Sequence, residues 1–359
     1  MKRYRRVGRL LGMLAMVAGL SACGTSSGGP PPATSTAASL ASKVPAQHLL
    51  AGFVTDTGGL HDQSFNELAW LGVRDARQRM GIKDQVLPSK VDADYVRNLT
   101  RLAQSHASIV IAVGTSMARA VYQVAQKYPG ERFAIVDARP EDAPAHEADL
   151  PNVASLFFKE QESGYLVGVI AGLMEKQHVG HAIHNTIGYL GGMDIPPVNR
   201  YLAGYVAGAK RVDPTIKVLG DYAQSFTDEQ TGRAFGLNQV NSGADILFQV
   251  AAQSGFGYLA VGQARGRYGI GVDADQSYLG RSIITSAVKR VDVAVRDIIQ
   301  DVNTGRFKPY DHFYGATQGA TGFASPAAVV PKSIVAQADH YEMLIAAGKV
   351  VPPTTIPAR

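Results

Sequence analysis

The chain has 359 residues, with 35 Lys and Arg against 30 Asp and Glu and a single cysteine. Five of the basic residues fall in the first nine positions and the rest balance the acidic groups, so the body lacks the basic surplus that a nucleic-acid-binding surface needs. One cysteine excludes an internal disulfide or a cysteine metal site, and ordinary hydrophobic cores must hold a body long enough for two lobes of about 150 residues each.

At the N-terminus, Lys2, Arg3, Arg5, Arg6 and Arg9 form a positive region and Leu10 to Leu20 an apolar one, and the small residues Ser21 and Ala22 precede Cys23. The pattern resembles a bacterial lipoprotein leader over residues 1–22, with Cys23 as the lipidated residue. It implies anchoring on the extracytoplasmic side of a membrane by acyl chains, each buried CH₂ contributing about 0.8 kcal/mol. Residues 24–42 carry no charge and no large aromatic group, and their Gly, Ser, Thr and Pro cannot bury enough apolar area to offset chain entropy. A tether over residues 23–45, Cys23 included, is expected. No later stretch approaches the roughly 18 consecutive apolar residues of a membrane helix.

From residue 48 onward, short apolar runs alternate with longer segments of helical period, the pattern of a parallel sheet with crossover helices. Strands are expected at 49–56, 108–115, 132–138, 186–193, 216–223, 245–251 and 268–275. Helices are expected at 64–80, 93–105, 116–128, 161–177, 199–211, 228–241, 287–304 and 332–347. The sheet restarts near residue 186, which divides the body into two α/β units with a cleft between them. Ligands of such sheets sit beyond the carboxyl ends of the strands, and Asp56, Asp137 and Asp273 each close a predicted strand. A carboxylate accepts two hydrogen bonds side by side, so it suits vicinal sugar hydroxyls or heterocycle N–H groups and repels phosphate. Taken singly, each Asp is equally well explained as a helix cap or turn residue.

The segment Asp56 to Trp70 (DTGGLHDQSFNELAW) is the most specific of the body. Gly58 and Gly59 permit a tight loop, Ser64 and Glu67 have the spacing of a capping box, and Phe65 and Asn66 then fall in the first turn of a helix, facing the cleft. Trp70, five positions on, belongs to the buried side. Histidines 178, 181 and 184 cluster, but an exposed helix end explains them better than a metal site. Gly255, Gly257 and Gly262 imitate a dinucleotide loop with the wrong final spacing.

The blocks TDTGGLHDQSFNELAWLGV, AVGTSMARAVYQVAQKYPGERFAIVDA, NVASLFFKEQESGYLVGVIAG, IGYLGGM, ILFQVAAQSG, IGVDADQ and TSAVKRVDVAV, in order over roughly residues 49 to 305, resemble the basic membrane protein family of lipoproteins. They are most similar to its purine nucleoside receptors, which serve ABC importers. The resemblance implies a type I periplasmic-binding-protein fold, two Rossmann-like parallel-sheet lobes joined by a hinge that the chain crosses three times. It places residues 46–158 and 282–309 in the first lobe and 159–281 and 310–359 in the second. It implies a purine nucleoside (guanosine, adenosine or inosine) held between Phe65 and Phe248. It implies further that Asn66 and Asp137 contact the base with help from Asp56, and that Asp273 and Lys289 contact the ribose. Lys289 has a rationale of its own, since a cation near Asp273 keeps that carboxylate ionised and adds a donor to a diol. Phe248, inside an apolar strand, is core by default and enters the site through the resemblance alone. His61 and Gln63 depart from the acidic and lysine residues often seen in this loop.

No Walker A, HExxH or GxSxG run is present, so an enzyme's nucleophile or acid–base pair is not in evidence. The expectation is a non-enzymatic, monomeric binding protein that needs no cofactor and no metal, binds no nucleic acid, and hands its ligand to an ABC permease. A nucleoside hydrolase, which would use an acidic cluster, is the enzymatic alternative; a regulatory or surface lipoprotein of the same fold with another small ligand is the third.

Overall fold

The computed structural model describes residue 40, residues 42–140 and residues 150–356. Cys23 and the leader lie outside the described residues. In chain order the first elements are β1 (Leu50–Val54), α1 (Phe65–Met80), β2 (Lys83–Leu87), α2 (Asp94–Gln104), β3 (Ile109–Val113), α3 (Ala118–Lys127), β4 (Phe133–Val136) and β5 (Val153–Phe158). Next come α4 (Glu160–Lys176), β6 (Thr186–Gly191), α5 (Pro196–Val212), β7 (Lys217–Tyr222), α6 (Glu229–Asn241), β8 (Ile246–Val250), α7 (Ala252–Ala264), β9 (Tyr268–Asp273) and β10 (Ile283–Lys289). The chain ends with α8 (Val291–Thr304), β11 (Tyr310–Tyr314), β12 (Thr321–Phe323) and α9 (Lys332–Ala346).

Two six-stranded sheets result, in the orders β11-β5-β4-β3-β1-β2 and β12-β10-β9-β8-β6-β7. Every pairing is parallel except β10 with β12. Each sheet is covered on both faces: Phe53 and Ile111 point into one apolar cluster and Val54 and Ala112 into another, and Tyr189 and Leu190 divide likewise in the second sheet. Burial on both sides is why these strands read as continuous apolar runs.

The chain passes between the sheets after Phe158, after Lys289 and after Tyr314. The sequence reading put the second and third passages at 282 and 310. The difference is strand β10, since a helix is expected over 287–304 and no strand directly before it. In the structure it pairs along β9, Ser286 opposite Gly271, and the helix begins only at Val291. The expected tether also ends early. Leu40 is buried, the Arg132 guanidinium donates to its carbonyl at 2.6 Å and to that of Ser42 at 3.1 Å, and the Val44 amide donates to Val302 at 3.2 Å.

Helix α4 is buried from Glu160 to Glu175 and lies parallel to α5 at backbone contact. A Cβ on Gly164 or Gly168 would stand 2.3 Å from the carbonyl oxygen of Tyr201 or Tyr205, and one on Gly204 or Gly208 would come as close to Gln161 or Tyr165. The unanticipated helix α7 follows the same rule. Its three glycines, which lower helix propensity and hid it in the sequence, face the Gln249 side chain, the Glu229 carbonyl and the Leu247 side chain, 2.0, 2.1 and 2.8 Å from where a Cβ would stand. Gly168→Ala is therefore expected to lower stability by about 1–3 kcal/mol despite alanine's better propensity. Gly130→Ala, at a site with no atom within 4 Å of the added carbon, should be close to neutral in the same urea titration.

At the opposite end of the second sheet from the cleft, burial pushes the Glu175 carboxyl up to about 8, with Asp245 adding to the effect. A folded-state pKa above the unfolded value means that the fold favours the neutral acid. The associated stability is complete below about pH 4.5 and lost as pH rises through about 8. Glu175→Gln, which can still accept from the Asn185 amide, should flatten the fall of melting temperature between pH 5 and 8.5.

Candidate functional site

The site is assembled where the two sheets present their carboxyl ends to each other. From the first lobe, the loop after β1 brings Asp56 to the start of α1. Its Oδ1 accepts from the Gly58 amide at 2.9 Å and from the Asn66 side chain at 2.8 Å. Gly114, at φ 104°, leaves room for the other oxygen, since a Cβ there would approach it to 2.8 Å. Burial raises the Asp56 pKa against the pull of these two donors.

The capping of α1 differs from the expected box. Ser64 makes no capping bond; Asp62 does the work instead. Its Oδ1 accepts from the Ser64 and Glu67 amides, both at 3.0 Å, and its Oδ2 from the Asn66 amide at 2.9 Å and side chain at 3.0 Å. Relieved of capping, the Ser64 hydroxyl crosses the cleft and donates to Asp273 Oδ2 at 2.6 Å. Two more bonds join the lobes beside it: the Tyr278 hydroxyl and the Gln276 amide donate to the Gln63 carbonyl at 3.3 and 3.5 Å. These contacts border a cavity of about 330 Å³ at the cleft mouth, lined by Ser64, Leu68, Leu71, Ala274 and Tyr278 among others.

From the second lobe come Asp273, the last residue of β9, and Lys289, the last of β10. The buried Lys289 ammonium donates to Asp137 of the first lobe and to Glu160 Oε1 at 2.9 Å, and it stands 5.0 Å from the ring centroids of both Phe65 and Phe158. Glu160 Oε2 in turn accepts from Arg200 Nε at 2.6 Å. Burial works against the Lys289 charge, but Asp137, Glu160 and Asp273 outweigh it and its pKa is raised. Burial pushes the Asp137 carboxyl up to about 6 in spite of Lys289, and raises that of Asp273 against Lys289 and Ser64. Asp137 and Asp273 occupy the left-handed region, at φ 65° and 64°, a conformation that Asp tolerates and that turns each side chain out of its sheet. Asp137 Oδ1 and Asn66 Oδ1 are buried without a hydrogen-bond partner, two acceptors held ready for N–H or O–H groups.

Asp56, Phe65, Asn66, Asp137, Asp273 and Lys289 are thus brought together. Phe248 is not. Its ring is fully buried among Tyr189, Tyr201 and Tyr205, at centroid separations of 5.5, 6.1 and 5.0 Å, on the core face of β8. Lys289 lies near Asp273 and its charge lowers that carboxyl's pKa, the direction expected of it, while its direct hydrogen bonds go to Asp137 and Glu160. Sequence reasoning missed Glu160, Phe158, Asp62 and Tyr201, whose hydroxyl reaches Asp273 Oδ1 at 3.4 Å. An acid at the head of a helix whose middle, Tyr165 to Met174, carries no charged or strongly polar residue was the signal available for Glu160. Trp70 packs on Phe53 at 5.7 Å, as its position implied. His184 bonds Asp245 at 2.9 Å, and no cluster fit to hold a metal occurs among the described residues.

Two mostly parallel sheets whose carboxyl ends face each other over a polar, charged cleft have the build of a solute-binding protein. A solute-binding protein of an ABC transporter system from Aeropyrum pernix has the same fold, with a TM-score of 0.74 and 26% identity over 85% of this chain and 94% of that one. Residues 50–355 match the family Bmp, ABC transporter substrate-binding protein PnrA-like, and the chain belongs to that family. Its relatives include the ABC transporter nucleoside-binding protein BmpA of Lactococcus lactis, 32% identical over 72% of this chain and 76% of that protein. An uncharacterized lipoprotein of Pyrococcus furiosus is 33% identical over 75% and 68%. The family's role is to bind a solute, not to transform it. No helix among the described residues is long and apolar enough to cross a membrane.

Asp62→Ala removes the acceptor of three backbone amides and one side chain, and should cost about 1–2 kcal/mol of stability by denaturant titration. Ser64→Ala loses no cap but removes the donor to the buried Asp273 carboxylate, and should cost about 1.5–3 kcal/mol in the same titration.

Proposed function

We propose that the chain is a monomeric receptor, anchored through lipid on Cys23 at the extracytoplasmic side of the cell membrane, that takes a purine nucleoside between its lobes and passes it intact to an ABC permease. The observation that carries this reading is the meeting of one aromatic face, Phe65, with the Asn66 amide, three carboxylates and one ammonium. A purine gains about 1–3 kcal/mol by stacking on such a ring whichever base it is, so guanosine, adenosine and inosine can share the cleft. The unpartnered oxygens of Asn66 and Asp137 suit base N–H groups, and Asp273 with Lys289 suits the ribose diol. Three carboxylates in one buried space disfavour a phosphate, which selects the nucleoside over the nucleotide. The name of the lactococcal relative as a nucleoside-binding protein points the same way.

The lobes already touch across the cleft, and rotation at the three crossovers would part them to admit and release ligand. A ribose hydroxyl on Asp273 takes the place of the Ser64 hydroxyl there. Phe65→Ala and Asp273→Asn should each weaken guanosine binding at least tenfold, about 1.4 kcal/mol, by calorimetry. Unchanged affinity in both removes the assignment. Incubation with inosine should yield no free hypoxanthine; its appearance would establish the hydrolase reading instead.

A further inference from the structure

The buried charges at the hinge form a chain that alternates in sign, Arg200 to Glu160 to Lys289 to Asp137. Arg200, Glu160 and Lys289 belong to the second lobe, on α5, α4 and β10, while Asp137 ends β4 of the first. Glu160 has no solvent exposure, and both of its oxygens are committed, one to each cation. It stands two residues beyond the last residue of β5, at the first crossover between the sheets. The cleft reading uses Lys289 and Asp137 and gives Glu160 no ligand to touch, yet a group this deeply buried and this fully paired has a physical task.

We propose that Glu160 is the positioning residue of the cleft: fixed by Arg200, it holds the Lys289 ammonium on the second lobe and shares it with Asp137, which leaves an Asp137 oxygen available to ligand. The inference rests on the reading of Asp137 and Lys289 as ligand-binding groups. Without Glu160, the fully buried ammonium has one direct carboxylate partner left and collapses onto it. The Lys289–Asp137 contact that already joins the lobes then draws the ammonium onto both Asp137 oxygens and leaves neither for ligand. The groups that face Asp137 are Lys289 on β10, Glu160 on α4, and Arg200 and Tyr201 on α5, and Asp273 on β9 reaches it through Lys289. Burial raises the Asp137 pKa, the Lys289 cation lowers it and the Glu160 charge raises it further, so removal of that charge moves Asp137 downward.

The test follows the Asp137 carboxyl carbon by NMR titration in the ligand-free protein, beside calorimetry of inosine binding at pH 7.5. In the wild type, Asp137 should titrate near pH 6. In Glu160→Gln the midpoint should fall by at least one pH unit and inosine affinity at least tenfold, whereas Lys289→Met should move the midpoint upward. Glu160→Asp, which keeps the charge but draws it back by one methylene, should fall between wild type and Glu160→Gln in both readouts; it carries the test if Glu160→Gln does not fold. A wild-type midpoint in the glutamine variant, or a rise as in Lys289→Met, overturns the proposal, as do wild-type values in Glu160→Asp. If the wild type binds no inosine while the midpoint still falls in Glu160→Gln, the nucleoside reading fails and the positioning role stands.

Discussion

One ammonium group, removed from water and divided between two carboxylates, organises this molecule. The carboxyl ends of the two sheets face each other, and the second brings Lys289 to the place where the first brings Asp137. Deletion of one partner from a buried ion pair typically costs about 3–5 kcal/mol, because the group left behind keeps its desolvation penalty without compensation. Glu160 and Arg200 extend the pair into a chain whose charges alternate, so each buried ion is flanked by its opposite. The rings of Phe65 and Phe158 complete the enclosure and supply the cation with two electron-rich faces. Such an arrangement tolerates little displacement, and its position at the first crossover ties cleft chemistry to lobe orientation.

That chain needs a rigid mounting, and α4 provides it. The helix is apolar nearly all round because it is surrounded: by the sheet on one side, by α5 at glycine-to-carbonyl distance on another and by α9 on a third. Backbone contact along Gly164, Gly168, Gly204 and Gly208 leaves no side chain to swing, so Glu160 at the head of α4 and Arg200 and Tyr201 on α5 are held as one unit. Movement is left to the three crossovers.

Much of the architecture was legible because strands buried on both faces carry an unbroken apolar signature, and because the acids that close β9 and follow β1 and β4 stand out against it. β10 was not legible: its polar Thr285, Ser286 and Lys289 sit in a strand whose hydroxyls bond the Ala324 carbonyl and the Gln276 amide, partners remote in sequence. Helix α7 was hidden by glycines whose reason is steric and visible only in three dimensions. In the cleft, residue identities were readable and pairings were not. Ser64 looked like a cap, and its hydroxyl serves Asp273, 209 residues away. Phe248, core by default in its apolar strand, enters the site only through the family resemblance, and the tyrosines around it decide for the core.

The stitching of Leu40, Ser42 and Val44 onto Arg132 and Val302 has a mechanical meaning. Both of those anchor points lie in the lobe that holds β1 to β5, so any pull transmitted from further upstream is delivered to that half alone.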